Sequence, residues 1–316
     1  MSIDPVVGFF VLGLVAGVLR SDLKLSGGLS DTLSIYLLIA IGLKGGIELS
    51  GASLRELALP VLIAVLMSAG TPLLAFPVLR RLGRLARPDA ASIAAHYGSV
   101  SVVTFAVGSS YLLRQGVEYE GFMSVMLVFL EFPALIIGVL LAKGIHRDTN
   151  WRMLAHEVLA GKAIVLLVGA LLIGWAWGAE ASSVLTQFYG ELFKGFLSLF
   201  MLGMGAVTAS RIDDLRRAGA FLIGFGIVMP MLSAVGGVLI GMLLGLSLGG
   251  TTMLAVLYAS ASYIAAPAAM RIAIPEANPA LSLGASLGVT FPFNVVVGVP
   301  LYHEMAKWAY RWQGMT

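Results

Sequence analysis

Two short polar segments interrupt otherwise apolar stretches of the chain, Tyr97-Gly98-Ser99-Val100-Ser101 and Tyr258-Ala259-Ser260-Ala261-Ser262. Gly98, Ser99, Ser101 and Thr104 gather poor helix formers in one place, and Ser260 and Ser262 precede Pro267, which removes a helix donor and favours a break before it. If both helices break there and meet from opposite sides, their free backbone N–H groups and positive ends attract an anion. The serine hydroxyls can donate to it as well. No carboxylate lies within either segment. The competing reading is that Ser and Gly only allow neighbouring helices to pack closely. Tyr263, next to Ser262, offers a phenol to an anion or simply packs.

Ionisable residues inside apolar spans are costly, so each is a functional candidate. Glu131 stands in Leu127-Val128-Phe129-Leu130-Glu131-Phe132-Pro133 and suits a cation ligand, a proton carrier or a neutral, hydrogen-bonded acid. Thr290 and Asn294 flank Phe291-Pro292 at the mirrored position and would coordinate Na+ through hydroxyl and carbonyl oxygens. Lys44 and Glu48, four apart at the end of a span, form either a gate or a structural pair. His96 is expected to be a satisfied structural group. His303 and Glu304 are expected at the outer edge, facing water.

The elements that must hold these residues follow from composition. The 316 residues are 59% hydrophobic and 12% charged, with a mean hydropathy of +0.94, which marks an integral membrane protein. A crossing helix needs roughly 20 apolar residues. Spans are expected at 6–20, 33–49, 57–79, 90–113, 122–142, 163–178, 190–210, 219–246, 252–272 and 281–303. The first is read as a retained helix, since no basic region precedes it and no small-residue cleavage pattern follows. With the N-terminus outside, fourteen of the twenty Lys and Arg fall in inner loops and five in outer ones, which places both termini outside.

The chain also repeats. A shift of 161 residues lays Gly42–Glu56 on Gly203–Arg217 and Tyr97–Ser101 on Tyr258–Ser262; a shift of 159 lays Phe132-Pro133 on Phe291-Pro292. Each half holds five spans, an odd number, so the second half enters the membrane upside down. The expected fold is all-α and integral to the membrane: about ten helices as two inverted five-helix repeats, 1–148 and 163–316, joined by a short cytoplasmic connector at 149–162, with discontinuous helices at the midplane.

Several classes are excluded. Zero Cys rules out disulfides, thiolate metal sites and a thiol nucleophile. There is no HExxH, no phosphate-binding loop, no GxSxG elbow and no soluble domain, so no enzyme is expected. The bases sit in short clusters between spans rather than along a polar face, which argues against nucleic acid. A secondary transporter of a small anion remains. Coupling through Na+ or through a proton on Glu131 is open, and a non-transporting sensor or channel is the reading from another class.

Gly42-Leu43-Lys44-Gly45-Gly46-Ile47, the Tyr97–Ser101 segment, Glu131-Phe132-Pro133-Ala134-Leu135 and above all Arg271-Ile272-Ala273-Ile274-Pro275-Glu276-Ala277-Asn278-Pro279 with Gly284-Ala285-Ser286 resemble the sodium-dependent bicarbonate transporters of cyanobacteria and their bacterial relatives. The resemblance runs over nearly the whole chain. It implies Na+-driven bicarbonate uptake in the plasma membrane, a homotrimer, movement of a core against a scaffold, and substrate contact at Gly98, Ser99, Ser101, Thr104, Ser260 and Ser262. It also implies a PII-like cytoplasmic regulator. The chain departs from the family's pattern at Tyr263 and Glu131, where that pattern has Asp, and in its short connector.

Overall fold

The computed structural model describes residues 5–23, 25–51, 54–144, 160–178, 185–312 and 314 with Arg152 and His156, giving the backbone alone at 54–56, 186 and 212–218. The connector expected over 149–162 lies largely outside the described residues. Among these, every regular element is helical. The first half contains α1 (Pro5–Val18), α2 (Gly27–Leu49), α3 (Leu54–Arg81), α4 (Arg87–Gly98), α5 (Val102–Arg114) and α6 (Met123–Lys143). The second contains α7 (Lys162–Trp177), α8 (Phe193–Ser210), α9 (Ile212–Leu243), α10 (Leu248–Tyr258), α11 (Ala265–Ala273) and α12, which runs over Pro279–Trp312 with two π-helical turns.

Among the described residues, seven helical segments are long and apolar enough to cross a membrane, and α1, α7 and α10 are shorter apolar helices. Their outward faces are apolar where a soluble protein would carry charge: Leu59, Leu62, Leu66 and Leu74 on α3 and Leu232, Leu239 and Leu243 on α9 are all exposed. Trp175 and Trp177 end α7, and Trp308 and Trp312 end α12; all four are exposed, as suits the boundary between hydrocarbon and headgroups.

Several expected boundaries moved, two of them with a clear cause. α2 starts at Gly27 rather than 33, because Ser26 accepts a hydrogen bond from the Leu29 N–H at 3.2 Å and caps a polar first turn that hydropathy does not register. α12 continues to Trp312 rather than 303 as an amphipathic helix. His303, expected to face water, is fully buried within it, with Nδ1 3.0 Å from Thr252 Oγ1. One helical face of that last stretch packs on α10, and only the opposite face, with Glu304, Trp308 and Trp312, is exposed.

The helices sort into two groups by packing. α1 lies along α8 and α2 along α7, with α2 also touching α8. The second group has α4, α5 and α10 at its centre, enclosed by α3, α6, α9 and α12. In the first group glycines set the approach. A Cβ on Gly205 would strike the Phe10 carbonyl and come within 2.6 Å of Leu14 N, and one on Gly46 would strike the Leu171 carbonyl and come within 2.8 Å of Trp175 N. Small residues let helix backbones close to this distance in lipid, where water does not drive helices together.

Gly205→Val and Gly46→Val should each lower the detergent-solubilised unfolding midpoint, at a cost of about 1–3 kcal/mol for overpacking. Gly195→Ala on the same α8, where the added Cβ meets open space, should leave it unchanged. Differential scanning fluorimetry of the three variants reads the difference.

Candidate functional site

Both polar segments break their helices. α4 ends at Gly98, Ser99 is extended (φ −93°, ψ 158°), and α5 starts at Val102. α10 ends at Tyr258 and α11 starts at Ala265, with Pro267 in its first turn, where a missing N–H costs no helical bond. α10 has 11 residues and α11 nine. At 1.5 Å per residue each is about half of a 30 Å hydrocarbon core.

The two breaks cross. The Ser101 N–H donates to Ser260 Oγ at 2.9 Å, and the Ser262 N–H donates to the His96 carbonyl at 2.8 Å. Ser260 in turn donates to the Leu257 carbonyl at 2.7 Å, so its hydroxyl is spent as a strut between the breaks. Ser101 and Ser262 are arranged differently. Ser101 Oγ accepts from the Thr104 N–H at 3.2 Å and Ser262 Oγ accepts from the Ala266 N–H at 3.1 Å, each capping the half-helix that follows. A capping hydroxyl uses a lone pair and keeps its hydrogen for donation.

A narrow cavity of about 20 Å³ lies against this crossing, between the two helix groups. Ser101, Ser262, Tyr263 and Glu131 line it from the broken-helix group, and Ser34, Lys162 and Phe200 from α2, α7 and α8. Tyr263 is buried with its ring 5.0 Å from that of Phe291, and its hydroxyl has no hydrogen-bond partner. Glu131 is buried and accepts from Ser99 Oγ at 3.1 Å.

The remaining candidates lie around this cavity rather than on it. Gly98 is a packing position: a Cβ there would come within 2.6 Å of Pro72 Cδ and 2.7 Å of Ala134 Cβ. Thr104 is buried in the first turn of α5. Thr290 donates to the Gly226 carbonyl at 2.7 Å and accepts from Tyr97 at 2.7 Å. Asn294 donates to the Ala259 carbonyl at 2.7 Å, capping α10, while its Oδ1 accepts from Tyr302 at 2.7 Å. For either to ligate Na+, these bonds would have to be shared or rearranged. Lys44 and Glu48 form a 3.9 Å, partly exposed ion pair, with Lys44 5.2 Å from the Tyr119 ring centre and lining a different cavity.

Sequence reasoning passed over three contributors. Ser68 on α3 lies 2.9 Å from the Gly98 carbonyl and 2.8 Å from the Leu130 carbonyl, so its hydroxyl serves the open end of α4 and the helix that carries Glu131. A lone Ser in an apolar span was the available signal. Ser34 has the same form, and Lys162, which pairs with Asp31 at 2.6 Å, was counted only for topology.

A buried carboxylate, two hydroxyls with free hydrogens and two half-helix N-termini therefore share one small space between two helix groups. A comparison with curated proteins finds no match. Residues 5–307 match the model of the Na+-dependent bicarbonate transporter superfamily, and this multi-pass, all-helical membrane protein belongs to that superfamily of transporters.

Proposed function

We propose that the chain couples Na+ to the uptake of bicarbonate or a similar small anion by alternating access. The observation that carries this reading is the presence of Glu131 in the same cavity as the Ser101 and Ser262 hydroxyls. The hydroxyls and half-helix N-termini suit an anion, but a bare carboxylate beside it opposes binding. Two like charges 4 Å apart repel by about 4 kcal/mol at an effective dielectric of 20. A cation at Glu131 removes that repulsion and supplies attraction, so each ion favours the other, which is the thermodynamic content of coupling.

The seven long segments and three shorter apolar helices suit ten crossings as two inverted five-helix repeats, 1–148 and 163–316, with both termini outside and a cytoplasmic connector between them. The α1, α2, α7 and α8 group would then be the scaffold, and the broken helices would move against it. Plasma-membrane placement, a homotrimer and a PII-like cytoplasmic regulator complete the proposal, resting on the family resemblance.

A second reading puts a proton in place of Na+. It is favoured by Glu131 being the one carboxylate among the described residues lining the cavity. Glu131→Gln is neutral and nearly isosteric. It should leave anion binding intact while uptake loses its response to the driving ion.

In liposomes at fixed pH and membrane potential, an inward Na+ gradient should drive labelled bicarbonate above equilibrium. Accumulation that follows a pH gradient and ignores Na+ would select the proton reading, and flux that never exceeds equilibrium would indicate a channel or sensor. The Ser101→Ala/Ser262→Ala double variant should weaken anion affinity roughly tenfold or more, since a hydrogen bond to a charged group contributes about 1.5–3 kcal/mol. Its chromatographic profile should remain that of the folded protein.

A further inference from the structure

A second cavity, of about 160 Å³, lies between α4, α11 and α12, and shares no lining residue with the cavity at the crossing. Ser92, His96, Pro267, Arg271, Pro279 and Ser282 contribute to its wall. A water occupies roughly 10–15 Å³ on this scale, so the space accommodates a ligand of several heavy atoms.

His96 carries the argument. Its side chain is fully buried, and Nδ1 lies 2.7 Å from the Ser92 carbonyl oxygen. A carbonyl only accepts, so Nδ1 bears the hydrogen, and in the neutral ring Nε2 is left as an acceptor. Nε2 is buried and has no hydrogen-bond partner. A buried acceptor without a partner costs free energy that a donor entering the cavity would recover.

Arg271, an exposed residue on α11, brings a cation to the same wall. Among the described residues no hydrogen bond or ion pair occupies it, and no carboxylate lines the cavity. Asp89, close by on α4, is engaged at 2.7 Å with the backbone N–H of Asn278.

We infer that this cavity is a second ligand site, built for a small oxyanion that still carries a hydrogen, with Arg271 holding the anionic oxygens and His96 Nε2 accepting from the hydroxyl. Hydrogencarbonate has both groups on one carbon. Nitrate has the charge and no hydrogen to give. On the proposed topology the site opens on the cytoplasmic side, where an anion released from the crossing would meet it. The choice of hydrogencarbonate rests on the proposed function; the unpartnered Nε2 of His96 and an unpaired Arg271 lining one cavity do not.

The test is equilibrium binding of ¹³C-labelled bicarbonate to the detergent-solubilised full chain, followed by line broadening. Wild type should show two classes of site. Arg271→Gln, at an exposed position, should lose one of them, with affinity reduced about tenfold or more, and the Ser101→Ala/Ser262→Ala variant should lose the other. His96→Gln should weaken the Arg271-dependent class, and nitrate should compete for that class about tenfold less well than bicarbonate. An Arg271→Gln protein that binds like wild type would overturn the site, even where the serine variant loses binding and so supports the proposed function. Binding that responds to Arg271→Gln and ignores the serine variant would keep this site and remove the crossing as the substrate site. Equal competition by nitrate would overturn the part assigned to His96, and since His96 is buried, Arg271→Gln carries the test if His96→Gln fails to fold.

Discussion

Unwound backbone inside an apolar bundle must find partners within the protein, because neither water nor lipid can satisfy it there. Here each break supplies them for the other: the Ser101 N–H is held by Ser260 and the Ser262 N–H by the His96 carbonyl. The rest of the arrangement depends on that exchange. It allows two helices to stop and restart in the middle of the molecule, it fixes where their N-termini lie, and it leaves the capping hydroxyls of Ser101 and Ser262 with hydrogens free. Either break alone would leave buried donors unpaired, at about 1–3 kcal/mol each.

The surrounding helices support the crossing. Ser68 and Asn294 stand at the open C-terminal ends of α4 and α10, where carbonyls lack intrahelical partners. Proline and glycine open the space for this. Pro72 packs against Gly98 so closely that no side chain fits there. The ladder around Pro292 widens into π turns on both sides, with Phe291 N–H bonding Ser286 and Val299 N–H bonding Asn294. Glycine-lined contacts join α1 to α8 and α2 to α7 in the other helix group, which shares one continuous apolar core with the broken-helix group. The cavity that holds Glu131 lies where the two groups face each other.

Much of this was legible in the residues. Long apolar runs marked the crossing segments, and serine with glycine or proline marked both breaks, because those residues weaken a helix wherever they stand. Glu131 stood out as a charge without a neighbour. The individual duties of the polar residues were not legible. Ser99, Ser101, Ser260 and Ser262 look alike in the chain, yet one serves Glu131, two cap half-helices, and one is a strut with its hydroxyl fully used. Thr290 and Asn294 have the right oxygens for a cation and are engaged in bonds to Gly226, Tyr97, Ala259 and Tyr302.

The sequence by itself determined the class and the apolar helical segments, since hydropathy and helix propensity are properties of neighbouring residues. Tertiary structure alone decided which groups meet. Ser101 and Ser260 are 159 positions apart and Tyr97 and Thr290 are 193 apart, and no local preference encodes such a contact. It also decided that His303 is buried against Thr252 and that His96 keeps one ring nitrogen unpartnered. A side chain's hydrogen-bonding role depends on what stands within about 3 Å of it, and that is set by how helices pack, not by the order in which they are joined.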